Sequence, residues 1–341
     1  YILYLLTGQA VIDYSLAARS MAFDIRKLCW SREIFEAAGM DPGLFSEPVP
    51  GGSGPYRIRA GIAGDLGLSP ELLLVPAGHD QVAAAVGSGV FQAGQAVDGA
   101  GTVECITPVF SGIPQDQRIY DGGYAIVPYV TPGDYVTYAF SFTGGALVSW
   151  FIQNCAKAEK ALAAEQQKSV YEILEEGMKE EPTGILVLPH FAGAATPYMD
   201  EGAKGAVVGL TVCHSVKDLY RAMMEGVVYE MMLNMEYLNG AGIRPEKLHA
   251  AGGGAASRVW MQMKADMLGL PIVSLGNTEA GAAGCAMTAG VAAGLFQDLN
   301  EAAAALIREK ETYLPRPALH EAYQAHYERY RKLYEAVRPL M

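Results

Sequence analysis

The sequence is poor in charge: Asp, Glu, Lys and Arg make up 18% of its 341 residues, against a usual quarter. Positive charge is scarcer than negative, with 25 Lys and Arg against 37 Asp and Glu and a net charge of −12. An acidic surface of that size argues against a nucleic-acid partner, whose phosphates demand the opposite sign. No apolar run reaches the ~18–20 residues that a membrane span needs. There is no CxxC pair. The five cysteines (Cys29, Cys105, Cys155, Cys213 and Cys285) stand at least 50 residues apart. That spacing excludes a zinc knuckle and reads as buried thiols of a cytoplasmic protein. Neither a Walker A motif nor a GxGxxG fingerprint is present. The start, Tyr1 to Leu6, has no basic segment and no small-residue cleavage site, so it is not a signal peptide. It also lacks an initiator methionine. It reads as the tail of an apolar helix already under way, and the chain is expected to be a fragment.

What is present is apolar and glycine-rich. Hydrophobic residues reach 51%, enough to bury a core and exclude disorder. The 39 glycines exceed the average share of about 7% and predict many tight turns.

Strands alternate with helices, which makes the class α/β. Gly8 closes a first helix. Residues 13–25 read as loop and short strand. Ser31 caps a helix that Gly39 stops. Leu72–Val75 reads as a short buried strand entering Pro76–Asp80, and Gln81–Val90 as a closely packed helix. A boundary is expected near 92–95, dividing the chain into domains at 1–93 and 94–341. Beyond it, strands are expected around 96–97, 103–106 and 124–129, and a helix from Gly145 into the charged stretch 156–182. Ser215 with Asp218 forms a capping box for a helix over 216–239, whose methionines are core filler. Thr278 is expected to cap an Ala- and Gly-rich helix. Leu319, Tyr323, Tyr327, Tyr330, Tyr334 and Val337 mark one face of a closing helix, with the tyrosines as packing.

Three places join elements through small residues: Gly78-His79-Asp80-Gln81, Gly99-Ala100-Gly101-Thr102 and Gly252-Gly253-Gly254-Ala255. Each is expected to free backbone N–H groups, and phosphate is the natural ligand class. Each is equally a tight turn in a core, so only their number points to a nucleotide cleft. Asp80 stands between a strand read as buried and an Ala-rich helix, a costly place for a lone carboxylate. It is read both as an N-cap and as a general base toward a substrate hydroxyl. His79 has no visible partner. A metal-dependent hydrolase built on His79 and Asp80 is disfavoured, since no second ligand pair appears at the required spacing.

At these residues the chain resembles the FGGY carbohydrate kinases. The likeness runs through Thr7-Gly8, Asp13-Tyr14-Ser15, Arg19, Phe23 to Arg26 and Trp30-Ser31, then Ala77 to Gln81. It continues through Gly205 to Leu210, Asp218 to Glu225, Gly252 to Arg258, Trp260, Ala265-Asp266 and Gly269 to Pro271. The resemblance implies an actin-like, ribonuclease H-like fold with two lobes around a nucleotide cleft, and phosphorylation of a sugar or polyol by ATP with Mg²⁺. It implies Asp80 as catalytic base with Gln81 beside the sugar. Gly101 and Thr102 would lie at the ATP phosphates, Gly145 and Ser149 against the nucleotide, and Gly253, Gly254 and Arg258 at the adenosine. Family members often form homodimers, though nothing in the sequence marks an interface. The family's opening Asp-x-Gly-Thr hairpin does not occur before Thr7, so the first lobe is expected to be incomplete and the 341 residues alone inactive. Phe191-Ala192-Gly193-Ala194-Ala195 departs from the Gly-Glu-Arg of many members, so no particular sugar is implied. The alternative is an actin-like protein that binds nucleotide or sugar without transfer and needs no base.

Overall fold

The computed structural model describes residues 1–276 and 279–341. Its centre is an eight-stranded mixed sheet. In spatial order the strands are Glu309–Tyr313, Ile272–Leu275, Lys247–Ala251, Gln95–Ala100, Glu104–Ser111, Asp134–Val136 and Val127–Pro128, with Ala139–Ser141 also pairing to Glu104–Ser111. Lys247–Ala251 runs parallel to both its neighbours, and the other pairings are antiparallel. Every strand of this sheet falls after residue 94. Short two-stranded pairs serve the first part of the chain, Val11–Asp13 with Glu47–Val49 among them.

Helix ends follow the capping chemistry of the sequence. Gly8 and Gly39 close their helices in the left-handed conformation, which glycine adopts without a steric cost. The helix Val216–Gly240 opens on the expected box: the Ser215 hydroxyl accepts from the Asp218 N–H at 3.3 Å, and the Asp218 carboxylate accepts from the Ser215 N–H at 2.7 Å. Its methionines are buried in the main core.

Some elements differ from expectation. Within 13–25 lies a helix, Tyr14–Ala18, because the Asp13 carboxylate accepts from the N–H groups of Ser15 and Leu16. The strand read as buried at 72–75 shrinks to Leu73–Leu74 and is only partly buried, paired to Tyr56–Arg57. The closing helix breaks into Pro317–Tyr330 and Leu333–Val337. Its tyrosines are more than packing: the Tyr327 hydroxyl donates to Glu236 at 2.7 Å and the Tyr330 hydroxyl to buried Glu230. Thr278 lies outside the described residues; the helix expected after it is Ala280–Ala292. Four cysteines are exposed and only Cys105 is buried, so the expectation of buried thiols holds for one of the five. Among the described residues no helix is long and apolar enough to cross a membrane.

The helices Asp80–Gly87 and Ala280–Ala292 cross with almost nothing between them. A Cβ built on Gly87 would overlap the Ala280 carbonyl oxygen, and one on Gly284 would overlap the Ala83 carbonyl oxygen. Each helix meets the other through an Ala and a Gly four residues apart, which places them on one face.

Candidate active site

The Gly101 turn, the start of the helix Gly145–Cys155 and the Gly252–Gly254 turn converge. The Gly145 N–H donates to the Gly101 carbonyl at 2.9 Å, and the N–H groups of Gly144 and Ala146 both donate to the Thr102 carbonyl at 3.0 Å. Gly252, with φ of +93°, lies against Ala100: an added Cβ would stand 2.8 Å from that residue's carbonyl oxygen. Only glycine accepts that backbone shape and that approach. The consequence corrects one expectation. The N–H groups of Gly144, Gly145 and Ala146 do not face a ligand, because the turn's own carbonyls cap the helix. Gly101 is likewise engaged, donating to the Gly99 carbonyl at 3.0 Å and to the Val103 carbonyl at 3.1 Å.

Around this junction opens a cavity of about 970 Å³, lined by Gly101, Thr102, Gly145, Ser149, Gly253 and Gly254 among others. Six of the residues singled out from sequence therefore share one wall system. A Cβ on Gly253 would meet nothing within 4 Å, so its backbone faces open space, as a bound nucleotide requires. The remaining walls were not anticipated. Trp150, Tyr171, Tyr220 and Trp260 supply aromatic surface, and Glu175 a carboxylate. Burial pushes Glu175 above the usual carboxylate range, against hydrogen bonds from the Ser257 hydroxyl at 2.8 Å and the Tyr220 hydroxyl at 3.5 Å. Glu175 sits in the charged stretch 156–182, read only as the continuation of a helix, so nothing local marked it. Trp260 lay within the family-like run, with no role assigned to it.

Arg258 is not among the lining residues. Its exposed guanidinium pairs with Glu311 at 2.5 Å, although its neighbour Ser257 lines the cavity.

Asp80 and Gln81 lie apart from this cavity's lining. Asp80 is the first residue of its helix, not the N-cap; His79 holds that place. The Asp80 side chain is 80% exposed, which corrects the apolar setting read from sequence: the preceding strand is itself only partly buried. One carboxylate oxygen accepts from the Gln81 N–H at 2.7 Å and lies 3.0 Å from His79 Nδ1. His79 has partners after all. Its backbone N–H donates to the Ser15 hydroxyl at 2.7 Å, and that hydroxyl donates to buried Asp13. Burial holds the His79 imidazole below its usual value, with Asp80 opposing. Gly78, with φ of +120°, lets the chain pass beside Ser15.

Among the described residues no three His, Cys, Asp or Glu side chains group to hold a metal ion. Magnesium carried by nucleotide phosphates and water needs no such cage.

Comparison with known proteins supplies the family. The C-terminal domain of the FGGY family of carbohydrate kinases matches residues 113–293, and its N-terminal domain matches residues 1–87. The second match corrects the expectation of a missing N-terminal region to this extent: the N-terminal domain is represented, by residues 1–87. A xylulose kinase of Staphylococcus epidermidis is 26% identical over 344 residues, covering 100% of this chain and 66% of that protein. An autoinducer-2 kinase of Escherichia coli O9:H4 is 27% identical over 346 residues, covering 98% of this chain and 64% of that protein. The chain thus spans about two thirds of the length of these curated relatives. The crystal structure of xylulose kinase from Rhodospirillum rubrum superimposes with a TM-score of 0.87 at 26% identity, over 100% of this chain and 67% of that one. The architecture is the α/β, actin-like one of sugar kinases, and the chain belongs to the FGGY family of carbohydrate kinases.

Proposed function

We propose that the protein transfers the γ-phosphoryl group of ATP to a hydroxyl of a sugar or polyol (a pentulose, hexulose or alditol), with Mg²⁺ on the phosphates. The observation that carries this reading is the convergence of three glycine-lined elements on one large cavity with aromatic walls. Phosphoryl transfer is mostly positioning and charge stabilisation, so turns and one base suffice on the protein's side. The nucleotide lies against Gly101, Thr102, Gly145, Ser149, Gly253 and Gly254. Arg258, at the edge, reaches it only by releasing Glu311. Asp80 acts as general base: as the acceptor oxygen bonds to phosphorus and the β–γ bridge breaks, the hydroxyl proton passes to the Asp80 carboxylate. Its exposure leaves that carboxylate reachable by a polar substrate, and Gln81 stands beside it. The boundary between a sugar-binding and a nucleotide-binding domain falls at 93/94, just before the first strand of the central sheet. The five cysteines, none disulfide-bonded, suit the reducing, ATP-rich cytoplasm.

The test is a coupled ADP-release assay over a panel of ketoses and polyols, with Asp80→Asn in parallel. Sugar-dependent turnover is expected to fall by about 10³-fold in the variant, the scale of a lost general base, while ATP binding stays within about twofold. Retained transfer removes Asp80 from the base role. Failure of the unaltered chain to bind ATP overturns the kinase reading.

A further inference from the structure

Behind the phosphate turn three charged side chains are withdrawn from water. Asp98 and Glu104 stand at the two ends of the turn, on the strands Gln95–Ala100 and Glu104–Ser111. Ala100 is opposite Glu104 and Asp98 opposite Ile106, so both carboxylates project from the same face of the hairpin. Between them sits the ammonium of Lys264, 2.6 Å from Asp98 and also bonded to Glu104. Asp98, Glu104 and Lys264 are each no more than 1% exposed. One oxygen of each carboxylate has no further partner among the described residues. Burial, then the Asp98 charge, push the Glu104 carboxyl well above its usual range against the pull of Lys264.

Such a cluster is a poor source of stability, since well-packed apolar groups do as well or better. Its geometry serves another end. Lys264 belongs to the helix Arg258–Leu268, which follows directly on the Gly252–Gly254 turn. That turn presses on Ala100, close enough that a Cβ on Gly254 would stand 3.0 Å from the Ala100 Cβ. Lys264 also lies 5.0 Å over the ring of Trp260, a wall of the nucleotide cavity. One ammonium therefore joins the strand pair carrying Gly101 and Thr102 to the helix that follows Gly253 and Gly254.

We propose that Lys264 is a positioning residue: bonded to Asp98 and Glu104, it sets the spacing of the Gly101–Thr102 and Gly253–Gly254 turns so that one ATP spans both, its phosphates at the first and its adenosine at the second. This rests on the kinase reading above. The ligand chemistry is a nucleoside triphosphate, and the contribution acts on the distance between the two turns, which ATP must span and adenosine alone need not.

The test compares ATP and adenosine binding by calorimetry in the unaltered chain, in Lys264→Met, and in the triple variant Lys264→Met with Asp98→Asn and Glu104→Gln. The triple variant removes the charges together and leaves no unpaired carboxylate to unfold the protein, so it decides the matter if Lys264→Met alone does not fold. The ATP dissociation constant is expected to rise about tenfold while that of adenosine stays within about twofold. Unchanged ATP affinity in the folded triple variant, or equal losses for ATP and adenosine, overturns the positioning role and leaves the kinase reading intact. Absence of ATP binding in the unaltered chain overturns both.

Discussion

Glu225 shows how a single buried carboxyl ties stability to pH. It lies on the helix Val216–Gly240, accepting from the Arg221 guanidinium at 3.0 Å and from the Thr183 hydroxyl at 2.7 Å. Burial outweighs these partners and lifts its pKa to about 7, against an ordinary 4.5. A carboxyl whose folded value is raised binds its proton more tightly in the native state. Its contribution is fully present below the unfolded value and is lost as pH rises through the folded one. Thermal melts of the unaltered chain and of Glu225→Gln should therefore diverge between pH 4.5 and 7, the variant showing the smaller loss as pH rises. Parallel curves would show that Glu225 titrates normally. Asp80 is the opposite case. The sequence pattern around it (apolar strand, carboxylate, Ala-rich helix) implies burial, but the strand lies at the surface and the carboxylate faces water. Single residues could be singled out from sequence where a turn fixes them, as at Gly101, Gly145 and Gly253, which meet in one cavity. They were not legible where the setting came from distant chain, as for Glu175 beside Ser257 and Tyr220.

Helices with a cap and a stop could be read from the local chain because their ends are satisfied locally: Ser31 with Gly39, and Ser215 with Asp218. Two- and three-residue strands carry too few positions for a periodicity, so pairs such as Val11–Asp13 with Glu47–Val49 went unseen. The small-residue composition of Gln81–Val90 did predict close packing, without naming the partner. That partner is the helix Ala280–Ala292, and the crossing gives a sharp expectation. Gly284→Ala should gain up to about 1 kcal/mol of helix propensity and lose more, because its methyl group meets a backbone carbonyl that cannot turn aside. A net cost of about 2–3 kcal/mol should lower the thermal midpoint by about 5 °C. A midpoint equal to or above that of the unaltered chain would mean the helices separate freely. Gly281, on the same helix but with nothing nearer than 4.0 Å to its built Cβ, is the control position.

At the scale of the whole molecule, the mixed sheet sets which groups solvent can reach. Cys105 sits on the strand Glu104–Ser111, and burial pushes its thiol up to about 12. Cys29, Cys155, Cys213 and Cys285 lie at the surface. A thiol reagent should accordingly titrate four cysteines promptly in the native protein and the fifth only on global opening of the sheet. Five prompt thiols would contradict the placement of that strand. The α/β class and the family were legible because their markers are turns spread along the chain. The order of strands was not, since it depends on pairings between segments as far apart as Gln95 and Lys247.

The Gly101 turn and the helix Gly145–Cys155 share their hydrogen bonds, three helix donors ending on two turn carbonyls. The loop is thereby wired into a rigid rod instead of floating above it. Any push on Thr102 from a bound guest must fray the rod's first winding or move the rod as a whole, so a contact at the loop's tip is felt along the length of that helix.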